Sequence, residues 1–368
     1  MASRKIFGHR DGFSQDSLMA LNDYTGNNPL FTGGVLLYLL NKAQAPLSRD
    51  LLSWFRIREN RTWPISIASV FFGLSILKQA SDWLSWKARN NGVTDQYDWT
   101  REVVVITGAS SGIGARVAEM LCAKGCKVAG LDIQQPLKTP PANMKFYVAD
   151  VTSRESLKKA HVQIQKDLGA VTVLCNNAGI GNGAPILEHT DNLINKVMAI
   201  NCVSHYYTVQ EFMPGMVERN HGHIITIASM ASLVSPVGLS SYGMSKAAAM
   251  AFHESLTMEV KYVHNTPKIR TSIIHPLWTK TPLIEGHMNE KNKGPKVMHV
   301  DTVAEAIANV ILSGESHTVM LPRSVTIGAA LRGMPDWFKL GVHSATAAEV
   351  SRFDTEGAMA ASGPRLHM

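Results

Sequence analysis

Residues 107–114 read Thr107-Gly108-Ala109-Ser110-Ser111-Gly112-Ile113-Gly114. They lie between an apolar, β-branched run (102–107) that predicts a strand and a run (111–124) that predicts a helix. Glycine at such a turn lets the backbone come close to a pyrophosphate, and the amino end of the helix that follows supplies N–H donors and positive dipole. A Gly-rich turn in isolation is a weak signal, and the strand and helix around it give it meaning. Further along the chain, strands are expected at 126–132, 144–149, 171–175, in a run ending at Ser229, and at 269–274 and 318–321. Helices are expected at 153–168, 192–219, around Tyr242 and at 302–312. This alternation predicts an α/β architecture, a parallel sheet with helices on both faces. No internal repeat or low-complexity tract interrupts it.

Asp132 closes the second expected strand, 18 residues beyond Gly114. A carboxylate at that place accepts the ribose hydroxyls of an adenosine and repels a 2′-phosphate. Neither Ser111 nor Ile133 is a cation that would hold that phosphate, so NAD is expected over NADP; a capping or solvated Asp is the alternative. Asp150-Val151, after the third strand, is placed to touch an adenine. Farther on comes Ser240-Ser241-Tyr242-Gly243-Met244-Ser245-Lys246. Tyr242 and Lys246 are about one helical turn apart and share a face. A phenol ionises near pH 10, and an ammonium one turn away favours the phenolate. Taken alone, the pair also fits an exposed helical face with no chemistry. Ser229 stands thirteen residues before Tyr242, at the carboxyl end of a strand, where open α/β sheets place ligand groups.

Thr-Gly-x-x-x-Gly-x-Gly at 107–114, Asn176-Asn177-Ala178-Gly179, Asn201, Ser229 and Tyr242-x-x-x-Lys246 together resemble the short-chain dehydrogenase/reductase family over residues 101–322. The hydrophobic N-terminal extension and Ile227-Ala228-Ser229-Met230-Ala231-Ser232 further resemble its membrane-associated branch, acting on retinol, steroids and fatty alcohols. The resemblance implies a Rossmann-type doubly wound sheet and hydride transfer between NAD and a hydrophobic alcohol or carbonyl. By it, Tyr242 is the acid/base, Lys246 lowers its pKa and holds the nicotinamide ribose, Ser229 orients the substrate oxygen, and Asn201 holds a relay water. The cofactor set it implies is Gly108, Ser110, Ser111, Gly112, Ile113, Gly114, Asp132, Asp150, Val151, Asn177, Ala178, Gly179, Tyr242, Lys246, Pro276, Thr279 and Thr281. The family commonly has Pro-Gly after the sixth strand, whereas here Leu277 follows Pro276, so the shape of that loop is open. The rivals are an NADPH-dependent carbonyl reductase of lipids and an inactive lipid-droplet scaffold of the same fold. A full Asn, Ser, Tyr, Lys set argues against the scaffold.

The 368 residues are 45% hydrophobic and 18% charged with net charge +7, the composition of a globular protein. Lys and Arg are scattered rather than patched, which disfavours nucleic acid and suits an anionic membrane surface or a solvated basic face. Cys122, Cys126, Cys175 and Cys202 fall in expected core elements without zinc-finger spacing and read as reduced thiols. No metal is expected. The expected organisation is an extension with two apolar stretches and a linker (1–98), the catalytic domain (99–322) and a tail (323–368). The apolar runs, 29–40 and 63–77, are each shorter than the roughly 20 residues that span a bilayer, so a buried core helix is the alternative for either, while extending the second through Lys78 to Trp86 allows a marginal span. Flanking Arg, Lys and Trp nevertheless suit a membrane interface, and the late start does not suit a cleaved signal. Residues 82–99 are expected to be a linker. Arg49, Arg56, Arg58 and Arg61 between the runs favour the cytoplasmic side. The expected location is the endoplasmic reticulum or a lipid droplet with the catalytic domain facing the cytosol, and a homodimer through the long helices is a further expectation. In the tail, 334–338 suggests a short amphipathic piece before the chain frays.

Overall fold

The computed structural model describes residues 15–44, 62–136, 138–181, 183–285 and 297–350. Arg49, Arg56, Arg58, Arg61 and most of the stretch 282–300, expected to cover the substrate, lie outside the described residues. The chain divides after Ala88 into two compact units.

Among the described residues the first unit holds three helices: α1 (Gln15–Tyr24), α2 (Pro29–Gln44) and α3 (Thr62–Arg89). Buried Thr32 and Ser75 hydrogen-bond across α2 and α3 at 2.9 Å, and Gly33 lets the Phe72 ring approach. The paired positions run in opposite senses along the two helices, so these pack antiparallel. α3 is longer than the apolar run 63–77 foretold. Its 28 residues make about 42 Å at 1.5 Å per residue. Good helix formers carry it on, and Lys78 pairs with Asp82 at 2.7 Å one turn away. Among the described residues it is the one helix long and apolar enough to cross a membrane.

The second unit is built on β1 (Val103–Thr107), α4 (Gly112–Cys122), β2 (Lys127–Asp132), β3 (Met144–Val148), α5 (Arg154–Asp167) and β4 (Val171–Asn176). It continues with α6 (Asp191–Met198), α7 (Ser204–Arg219), β5 (His223–Ile227), α8 (Ser240–Tyr262) and β6 (Arg270–Pro276). The short α9 (Pro282–Glu285), α10 (Val300–Ser313), β7 (Thr318–Leu321) and α11 (Asp336–Val350) complete it. The seven strands are parallel in the order β3-β2-β1-β4-β5-β6-β7. This is a Rossmann-type doubly wound sheet, and the order reverses between β1 and β4, where such sheets open a crevice. Strand periodicity explains the two cores. Val104 and Ile106 of β1 pack with α4 and α10, while Val103 and Val105 pack with α5, α7 and α8.

Three expectations change. The helix expected over 192–219 runs continuously but widens into a π-turn at Ala199–Val203, where the Asn201 side chain pairs with the Ile180 backbone. The division after Ala88 falls inside the linker expected over 82–99, but that stretch is ordered. The helix runs to Arg89, and the stretch after it is sewn to the sheet by the fully buried Arg270, which donates to Val93 O (2.6 Å) and Asn90 O (3.1 Å). Asn90 in turn accepts from the Ser316 amide at 2.8 Å. The chain beyond β7 does not fray at 338 either. It forms a 3-10 stretch, Arg323–Gly333, and then α11, whose alanines favour helix.

Candidate active site

At the β1–α4 turn, Gly108 (φ +68°) and Gly112 (φ +57°) adopt left-handed backbone, which costs other residues strain. A methyl on Gly114 would sit 2.2 Å from Gly108 O and 2.6 Å from Asn177 Nδ2, so the turn folds directly onto the start of α4. Asn177 locks this shape by donating to Thr107 O (2.9 Å) and Gly108 O (3.2 Å). Thr107 Oγ1 returns the contact, accepting from the Asn177 and Ala178 amides at 3.0 and 2.9 Å. Ser111 at the N-cap of α4 makes no side-chain bond to the helix amides, an arrangement that keeps first-turn donors for an anion. Ile113 packs inward against the α4 side of the core. A cradle this tight, walled by backbone, fits a dinucleotide pyrophosphate.

Ser110 is given to Asp132. Its hydroxyl and amide donate to Asp132 Oδ2 at 2.6 and 3.1 Å, and the Gln134 amide donates to Oδ1 at 3.1 Å. The carboxylate is thereby oriented at the end of β2. Asp150 Oδ1 accepts from the amide and hydroxyl of Thr152 at 2.8 and 2.7 Å, which caps the turn after β3. Val151 turns its side chain into the core, so any contact it makes with an adenine runs through its backbone.

Asn201, Ser229, Tyr242 and Lys246 come from three elements to one place beyond the carboxyl ends of β4 and β5. Ser229, in extended backbone, caps a 3-10 turn (Met230–Ser232). Its Oγ accepts from the Ala231 amide at 3.1 Å and donates to Pro276 O at 3.4 Å, and it hydrogen-bonds the Tyr242 side chain. Lys246 Nζ lies 5.8 Å from the Tyr242 ring centre and donates to Ile227 O at 2.8 Å. The π-turn aims Asn201 at two partners: Ile180, through its amide and carbonyl, both at 2.8 Å, and Ser245 Oγ, at 3.0 Å. Gly179 keeps the approach clear, since a methyl there would lie 3.3 Å from Asn201 Oδ1 and 3.5 Å from Lys246 Nζ.

Burial pushes the Tyr242 phenol above its ordinary value, with the Ser229 hydrogen bond pulling the other way. The Lys246 ammonium meanwhile donates to the Ile227 carbonyl at 2.8 Å. Burial in turn brings Lys246 down to about 8.

The loop after β6 tolerates its missing glycine. Leu277 is absent from the left-handed positions among the described residues, and its amide donates to Leu321 O at 2.8 Å. Thr279 pairs with Met298. Thr281 stands against the Gly-rich turn, its Cγ2 being 3.5 Å from where a Gly112 methyl would lie. Sequence reading missed Ser232 and His275. Ser232 Oγ donates to Ser229 O at 2.5 Å and meets His275 Nδ1 at 2.9 Å, which braces the turn behind Ser229. Burial keeps His275 below its ordinary pKa, against the opposing hydrogen bond with the Ser229 backbone. Apart from their nearness to Ser229 and Pro276, nothing in the sequence marks these two.

Residues 102–292, just over half of the chain, match the model of the short chain dehydrogenases, and the chain belongs to that family of oxidoreductases. Among its relatives is dehydrogenase RED2 of Cochliobolus heterostrophus, 40% identical over 218 residues that make up 57% of this chain and 82% of that one. Epidermal retinol dehydrogenase 2 of Mus musculus is 34% identical over 194 residues, 50% of this chain and 62% of that protein. The fold is shared with a short chain dehydrogenase/reductase from Burkholderia phymatum solved in complex with NAD, at TM-score 0.56 and 21% identity over 65% of this chain and 95% of that one.

Proposed function

We propose that this protein oxidises a lipophilic alcohol with NAD⁺ at the surface of a membrane. The observation that carries the proposal is the convergence of Asn201, Ser229, Tyr242 and Lys246 beside a Gly-rich turn and an oriented carboxylate, Asp132. The dinucleotide, when bound, supplies the acceptor for the substrate's hydride. Gly108, Gly112 and Gly114 with the α4 amides would hold its pyrophosphate, Asp132 its adenosine ribose, and Thr279 and Thr281 would flank the nicotinamide. Ser229 donates a hydrogen bond to the substrate oxygen, and Tyr242 takes the hydroxyl proton as the carbonyl forms. Lys246 is buried and so poised to turn from the Ile227 carbonyl to the nicotinamide ribose, where its charge would favour the phenolate. Asn201, fixed by its π-turn, holds a water that links Lys246 to solvent. An Asp at position 132 disfavours a 2′-phosphate, which supports NAD over NADP and the oxidative direction.

Attachment to a membrane is supported by the length of α3 and by the burial of just 11% of its most apolar window, and the names of the retinol dehydrogenase relatives support a lipophilic alcohol as substrate. An endoplasmic reticulum or lipid-droplet surface, with the catalytic unit in the cytosol, suits a chain that needs NAD and has four free cysteines.

The test uses full-length protein in detergent with NAD⁺ and a panel of retinoid, steroid and fatty alcohols. Tyr242→Phe should lose roughly 10²–10⁴-fold in turnover and keep its affinity for NAD⁺. A variant within tenfold of the parent removes Tyr242 from the chemistry.

A further inference from the structure

The chain beyond β7 returns to the catalytic serine. The 3-10 stretch Arg323–Gly333 lies over the turn that begins at Ser229: the Met230 methyl would be 3.1 Å from a Cβ on Gly328, and Leu331 is 4% exposed. Arg332, itself exposed at the surface, donates through Nη2 to Ser232 O at 2.6 Å and through Nε to Leu233 O at 3.3 Å. Both carbonyls end the 3-10 turn that Ser229 starts. A guanidinium holds two such acceptors in one rigid fork, which a lysine does not reproduce. The hydroxyl of Ser232 reaches back to Ser229 O, so the clamp is two bonds away from the backbone of the catalytic hydroxyl.

We infer that Arg332 is a positioning residue for Ser229. The inference rests on the reading above that Ser229 orients the substrate oxygen. Because Arg332 is exposed and its hydrogen bonds among the described residues go to backbone carbonyls, its removal leaves the core intact and alters the angle at which the Ser229 hydroxyl is presented. Small misplacements of that kind are costly in rate.

The experiment measures kcat and KM of the full-length enzyme and its Arg332→Met, Arg332→Lys and Arg332→Ala forms, each also combined with Ser229→Ala. Arg332→Met should lower kcat about tenfold with KM for NAD⁺ within about twofold. Arg332→Lys should recover little of the loss, and guanidinium ion added to Arg332→Ala should restore part of it. In the Ser229→Ala background, Arg332→Met should change kcat by less than about twofold, since coupled residues are not additive. Equal fractional losses in both backgrounds overturn the inference, as does an Arg332→Met enzyme with parental kcat. A parent that turns over none of the alcohols refutes the proposed function, and this inference falls with it. An active parent with neutral Arg332 variants refutes this inference alone.

Discussion

Alanine at position 114 tests the cradle most directly. Its methyl would lie 2.2 Å from Gly108 O, 3.0 Å from Gly108 C and 2.6 Å from Asn177 Nδ2, where ordinary contact begins at 3.4 Å. The carbonyl is therefore about 1.2 Å too close. Neither obstacle is a loose end: one is backbone, and the other is an amide already bonded to Thr107 O and Gly108 O. Relief has to come from shifting the turn away from α4 by roughly 1 Å, which is the scale of misplacement that costs about 10²-fold in rate. Overpacking adds about 1–3 kcal/mol of lost stability. Titration calorimetry with NAD⁺, steady-state kinetics and thermal melting of Gly114→Ala would read all three. Gly341→Ala, where no atom lies within 4 Å, is the control and should behave as the parent. If Gly114→Ala binds NAD⁺ within threefold of the parent, the turn does not meet the cofactor as argued.

Removing the carboxylate held by Ser110, in Asp132→Ala, should relax discrimination against NADP⁺ by about 1–3 kcal/mol in comparative kcat/KM; a parent that already prefers NADPH contradicts this account of Asp132. His221 lies between Asp95 (2.7 Å) and Glu102 (3.3 Å), against the Tyr97 ring. The Glu102 hydrogen bond, against opposing burial, raises its pKa above 6.5, with Asp95 adding to the effect. Burial works to raise Glu102, but its hydrogen bonds from His221 and Thr172 win and lower it below 4.5. The stabilisation from His221 is complete below pH 6.5 and fades as pH rises through the elevated value, while that from Glu102 is present above 4.5 and is lost on acidification. The melting-temperature advantage over His221→Gln should therefore peak between pH 4.5 and 6.5 and shrink toward pH 8; an advantage that grows with pH refutes the pairing. Full-length protein should sediment with membranes, whereas a form starting at Arg89, which keeps Asn90 and Val93 for Arg270, should stay in the supernatant. Full-length protein found in the high-speed supernatant without detergent would refute the anchor.

Local pattern carries its own physics, and it made much of this protein legible without coordinates. Apolar β-branched runs such as Val103–Thr107 are strands because both faces are buried, and the glycines after them mark a turn no side chain fits. The Tyr242–Lys246 spacing places two side chains on one face because a helix repeats every 3.6 residues. Helix limits proved less legible: α3 outran its apolar stretch, since polar helix formers extend a helix as readily as apolar ones. What depends on residues far apart in the chain was decided by tertiary structure alone. Asn201 sits in a π-turn with its side chain bonded to the backbone of Ile180, 21 positions earlier. Arg270 gathers a segment nearly 180 residues upstream. His275 and Arg332 reach the Ser229 turn from distances of 46 and 100 residues. Lys246 shares a helical face with Tyr242, as the spacing foretold, but its bond to the Ile227 carbonyl, 19 residues upstream, is a tertiary one. Sequence periodicity reports which face of an element is buried, but the partner that meets that face is chosen by the packing of the whole sheet, and the hydrogen bonds that aim a catalytic group are made with that partner.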